Sequence, residues 1–95
     1  MVKYRDVGEF KTDRKFLDYA ANISSYLERR PLEFLEERII HETRMARERL
    51  ETDGLKTQIR RHFLIKQLFE IYTNCVKPED MDPVFAETVK IFDIE

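Results

Sequence analysis

The chain has little with which to build tight turns. Among 95 residues there are 2 glycines, 3 prolines, one cysteine and no tryptophan. So few glycines and prolines exclude a loop-rich barrel or sandwich, which needs turn residues about every 8–12 positions. The single cysteine, Cys75, excludes an intramolecular disulfide framework and a cysteine-based zinc cluster. A reducing compartment is then the default, and a cytoplasmic protein is expected. No stretch approaches the ~18 uncharged apolar residues of a membrane span, so no membrane partner is expected. Met1-Val2-Lys3-Tyr4-Arg5-Asp6 is followed by no apolar run, so no secretory signal is expected either. Charge of one sign is also missing. Seventeen Lys and Arg stand against nineteen Asp and Glu, a formal net charge of -2, which excludes a uniformly basic nucleic-acid coat and a polyacidic tail.

What is abundant is gross charge, 38% of residues, against about 25% in ordinary soluble domains. Leu, Ile, Val and Phe number 28, enough for a modest core. Ala, Glu, Leu, Lys and Arg number 41, which points to long helices. The length fits a single small helical domain over 1–95.

Residues 1–12 form an N-terminal arm in which Val2 and Tyr4 alternate with Lys3 and Arg5. Thr12 or Asp13 can cap a first helix, because its side-chain oxygen accepts an unpaired backbone N–H. Phe16, Ala20, Ile23 and Leu27 then share one face, and Leu17 and Ala21 are expected to widen it. Pro31 stops this helix. A second helix is expected from Pro31 to Thr52, with Leu32, Leu35, Ile39, Thr43, Ala46 and Leu50 near a heptad seam. Asp53-Gly54 marks the next break, with Gly54 suited to a left-handed helix end. Leu55, Ile59 and Phe63 open a third helix. Leu64, Ile65, Leu68, Phe69, Ile71, Tyr72, Cys75 and Val76 continue it as the central buried helix. Residues 77–83 form a loop before a C-terminal element in which Asp82 can cap a helix that starts at Pro83. The fold class is therefore all-α, a helical hairpin or three-helix bundle with a short fourth element. The alternative is α+β, with β-branched residues of 88–94 pairing as a strand with residues 2–5.

Candidates for chemistry are few. Glu37 and His41 are four residues apart and share a helix face. That pair lacks the Glu-x-x-His and His-Glu-x-x-His spacings of metal helices, and a surface pair is the plainer reading. His62 and Cys75 stand on one helix about 20 Å apart, too far for a nucleophile and its base. Cys75 reads as a small buried hydrophobe. No phosphate loop or nucleophile elbow occurs. A catalytic role, a metal, a cofactor and a small-molecule substrate are not expected.

The charge layout carries more. From Glu28 to Glu51 stand seven Glu and six Arg and no Lys. Arginine's planar fork suits contacts that persist in interfaces. From Leu55 to Phe69 there are four cations and no acid. A helix, a glycine turn and a basic helix is also the order of a helix-turn-helix, but both helices are too long for that motif.

The expected function is a non-catalytic interaction module that forms a homo-oligomer or docks on a larger protein. The expected contacts are Phe34, Ile40, Arg44, Met45 and Arg47 on the second helix, with Phe85 and Phe92 near the C-terminus. The motivation is apolar residues off the seam among arginines, a composition enriched at interface cores. The alternative is an accessory nucleic-acid-binding protein that contacts phosphates through Lys56, Arg60, Arg61 and Lys66, to which folding could add Arg29 and Arg30. In the plainer reading these basics pair with the second helix's glutamates.

Overall fold

Helix α1 begins where Thr12 turns its hydroxyl back to accept the Lys15 backbone N–H at 3.2 Å. In the computed structural model, which describes residues 3–83, 85 and 87, it runs Asp13–Glu28. Helix α2 follows after Pro31 over Leu32–Glu48, and α3 covers Leu55–Cys75. Short 3₁₀ turns stand at Val7–Glu9 and Pro78–Asp80. The fold is all-α, and no strand occurs among the described residues. Residues 3–5 have no regular structure, so the strand pairing of the termini is not supported. Its other partner, 88–94, lies outside the described residues, as does Phe92.

Helices α2 and α3 make an antiparallel hairpin. Arg61, early in α3, reaches Glu42 in the second half of α2, and late in α3 the Tyr72 hydroxyl donates to Glu36 at 2.6 Å. Burial and that carboxylate push the Tyr72 phenol up to about 12. Helix α2 is shorter than expected because the chain turns sharply after it. The Thr52 and Asp53 N–H groups both donate to the Arg49 carbonyl, and Gln58 reaches back to the Leu50 carbonyl. Gly54 is extended, at φ -71, and caps the start of α3 instead of closing α2 in a left-handed conformation.

The core joins Phe16, Ala20, Ile23 and Leu27 of α1 to Leu35 and Ile39 of α2 and Leu64 and Leu68 of α3. Val7 and Phe10 of the arm close one side, and the Arg5 N–H donates to the Tyr19 hydroxyl. Near the C-terminus Phe85 packs on Tyr72, with ring centroids 4.6 Å apart. The Asp82 carboxylate accepts the Phe85 N–H, the contact expected of its cap.

Several expected core positions lie outside it. Leu17, Ala21, Leu32 and Leu50 are exposed. So is Cys75, which is not a buried hydrophobe. In their place Arg60 and Arg61 face inward, and Arg61 has no exposed surface. Arg60 donates to the carbonyls of Val7 and Phe10 and to the Asp13 carboxylate at 2.9 Å. Arg61 donates through Nε to Asp53 at 2.7 Å and stands 2.9 Å from Asp6 and 3.7 Å from Glu42. Arg38 also donates to Glu42, at 2.6 Å.

Burying a charge is costly, and removing one partner leaves the others stranded. Arg61→Met should therefore destabilise the fold by about 3–5 kcal/mol, read as a lower urea midpoint.

The same network sets a pH profile. Burial alone would raise the Asp6 carboxyl, but the Gly8 N–H, Arg61 and Arg49 outweigh it and hold it below its ordinary 3.8. The Arg60 hydrogen bond, with help from Lys56, lowers Asp13 likewise. Stability from these two groups is present above 3.8 and is lost as pH falls through their lowered values. Burial pushes the Glu42 carboxyl above its ordinary 4.5 despite Arg38 and Arg61. Its contribution has the opposite sign, complete below 4.5 and lost as pH rises through the raised value. Urea midpoints across pH should thus peak in mild acid. Asp6→Asn should soften the acid fall, and Glu42→Gln should remove the decline toward neutral pH.

Candidate functional site

The first half of α3 is inside out. Leu55, Ile59 and Phe63, at steps of four, lie on one helix face. They are 76%, 60% and 45% exposed. The next residues inward are Arg60 and Arg61. The buried stripe of the second half, Leu64, Leu68 and Tyr72, is turned at least 100° from this face. One helix cannot press both stripes on the same core. The second stripe, joined by the buried Ile65, wins, and the arginines that share its side are neutralised by carboxylates from the arm, α1, α2 and the turn before α3.

Beside this face lies Leu17 of α1, 48% exposed. Phe16 meets Phe63 edge-to-face, with centroids 5.9 Å apart. Together with Ile59 they line an apolar groove of about 310 Å³. Its rim is polar at Lys56 and Asp13, whose charged atoms are 3.6 Å apart. Exposed apolar side chains in one contiguous patch mark an interaction surface more often than scattered ones do.

The residues expected to form an interface are distributed differently. Ile40, Arg44 and Arg47 come together, lining with Thr43 and Glu48 a shallow depression of about 520 Å³ on α2. Ile40 is half-buried there and leans on the core, while Arg44 and Arg47 are exposed. Phe34 is exposed but stands six residues before Ile40, about 120° away around the helix. Met45 is half-buried and outside the depression. Phe85 belongs to the core and offers no exposed surface to a partner, a correction that follows from its packing on Tyr72 and Phe69.

The expected phosphate-binding set is divided as well. Lys56 and Lys66 are exposed, but Arg60 and Arg61 are buried and held by internal acceptors. The four do not form a basic patch. Their partners are mainly aspartates, Asp13, Asp6 and Asp53, with Glu42 the one glutamate of α2 involved.

Glu37 and His41 are exposed, and neither a hydrogen bond nor an ion pair joins them. No group of three or more His, Cys, Asp or Glu among the described residues could hold a metal ion. No described helix is long and apolar enough to cross a membrane. The chain matches no protein-family model, and no curated protein or solved structure is similar to it.

Two surfaces escaped the sequence reading. The apolar α1–α3 face was visible as the stripe Leu55, Ile59, Phe63, out of phase with Leu64, Leu68, Tyr72. A basic groove between the arm and α1 carried no local signal, since it joins residues far apart in the chain. The corrected position of Cys75 has a direct check. Its thiol should react with a maleimide reagent in the native protein as fast as in urea, whereas a buried thiol reacts only after unfolding.

Proposed function

We propose that the protein is a non-catalytic interaction module that self-associates through the α1–α3 face. The observation that carries this is the inverted first half of α3. Leu55, Ile59 and Phe63 face water while an arginine with no exposed surface faces the core. Covering that face with apolar surface recovers about 25 cal/mol per Å². The face suits a second copy because its rim charges answer each other within one chain. Lys56 and Asp13 stand 3.6 Å apart, so two copies of the apolar face can meet without setting an unpaired charge against the partner. The small net charge of -2 leaves little repulsion between copies. A stable dimer buries about 800 Å² per partner, so the contact extends from Leu17 and Ile59 onto the exposed Ala21 and Lys66.

Light scattering at tens of micromolar should give a dimer for the native chain. Leu55→Glu and Ile59→Glu should give monomers with unchanged helical circular dichroism, because both side chains already lie in water. The contact set expected from the sequence, centred on Ile40, Arg44 and Arg47 with Phe34 and Met45, is separated by one more variant. Joint replacement of Arg44 and Arg47 by Glu leaves the dimer intact if the α1–α3 face makes it, and breaks it if α2 does. A native chain that is monomeric at these concentrations rejects self-association.

A further inference from the structure

A concavity of about 750 Å³ lies between the N-terminal arm and α1. Lys3 and Arg5 line it from the arm, and Lys15, Arg29 and Arg30 line it from α1. One carboxylate, Asp18, lines it with them. That is a concentrated positive charge on a chain whose net charge is negative. The cations inside the fold are neutralised with care, as Arg60 and Arg61 show. Those in the groove are not. Arg5 is answered by Glu9 at 3.2 Å, but Lys3, Lys15, Arg29 and Arg30 meet no carboxylate among the described residues. Like charges gathered in a cleft raise the local concentration of an anion.

The arrangement also says what shape of anion fits. Lys15 and Arg29 are fourteen residues apart on α1, about 21 Å along its axis. A charge spread over that length does not converge on a single phosphate. It matches a line of them, since one strand of nucleic acid carries a charge every 3.4 Å or so, about six over this length. Between the two ends the groove offers neutral donors, Asn22, Ser25 and the half-buried Tyr26, whose ring lies under the Arg30 guanidinium at 4.6 Å. Guanidinium forks take phosphate oxygens in pairs, and aromatic and amide groups accept bases without regard to sequence. About 750 Å³ spread over roughly 21 Å is the scale of one strand's backbone, and the amide and aromatic groups beside it favour unstacked bases.

We propose that this groove binds the backbone of a single-stranded nucleic acid. The site is separate from the self-association face. Lys15 and Leu17 are turned about 160° from each other around α1, so dimer formation leaves the groove open.

The experiment uses the full chain and fluorescence anisotropy of a labelled oligothymidylate and a labelled oligouridylate. Binding at low salt should weaken as salt rises, with a log–log slope near -3 if about four phosphates are neutralised. Lys15→Gln, and separately the Arg29→Gln, Arg30→Gln pair, should each weaken binding about tenfold or more. Lys77→Gln, exposed beyond the end of α3 and outside the groove and the self-association face, should leave it unchanged. The Lys15 side chain makes no hydrogen bond or ion pair, and its backbone N–H, held by Thr12, survives the substitution, so the change does not endanger the fold even if the one beside Tyr26 does. Absence of binding at low salt overturns the proposal. So does an equal loss with Lys77→Gln, tighter binding of the matching duplex, or equal binding of polyglutamate.

Discussion

The fold depends on one buried cation. Arg61 carries no exposed surface and gathers Asp6 from the arm, Asp53 from the turn before α3 and Glu42 from α2. Its Nε makes the one well-aligned hydrogen bond, and its two Nη atoms meet Asp6 and Glu42 as ion pairs without hydrogen-bond geometry. Such a cluster is a poor source of net stability, because desolvating four charges offsets most of their attraction. What it supplies is position. The arm, α2, the turn and α3 must all be in place before the charge is answered. Arg60 extends the arrangement by holding the carbonyls of Val7 and Phe10, which ties the arm to α3 by its backbone.

That constraint sets the rotation of α3. With Arg60 and Arg61 turned inward, Leu55, Ile59 and Phe63 have to face out. A rotation that buried them would send Arg61 into water and strand Asp6, Asp53 and Glu42. The second half of the helix pulls the same way, since Leu64, Leu68 and Tyr72 are buried with the arginines. The exposed apolar face is thus a consequence of the ion cluster and the distal stripe together. It is not a local defect of the helix. The fold is also thin, 39 × 30 × 18 Å. Helices pack about 8–10 Å apart, so 18 Å leaves room for about two layers, and an outward face finds no cover among the described residues.

The helices and most of the core were legible in the sequence because they rest on local rules. Phe16, Ala20, Ile23 and Leu27 repeat with the period of a helix, Thr12 caps it, and Pro31 ends it. The same rules failed where a polar residue occupied an apolar period. Glu42, Arg60 and Arg61 read as solvent positions from their type alone, and only the convergence of Asp6, Asp13 and Asp53 reverses that. These partners stand 47 to 55 residues away along the chain, or across a turn, so no window of periodicity contains them. Leu17 and Leu55 failed for the complementary reason. Apolar character says that a residue prefers cover, not that the same chain provides it. Of the residues expected at an interface, Ile40, Arg44 and Arg47 meet on α2, while Phe85 packs in the core through contacts with α3.

The division of the cations follows from the same geometry. Because the arm is pinned to α3 by Asp6 and by two carbonyls, two of its cations, Lys3 and Arg5, are held beside α1. Tyr19, accepting the Arg5 N–H, fixes the distance between arm and helix. At the start of α1, Asp13 is committed to Arg60 and Lys56, and Asp6 of the arm to Arg61 and Arg49. The charge left over at the Lys15 end is therefore tied to the charge consumed inside. On the proposed self-association, the two faces of α1 have separate uses, and a two-fold pair carries one basic groove on each outer flank. A strand long enough to reach both would be held at two points, and the second contact would then form at an effective concentration set by the length of strand between them.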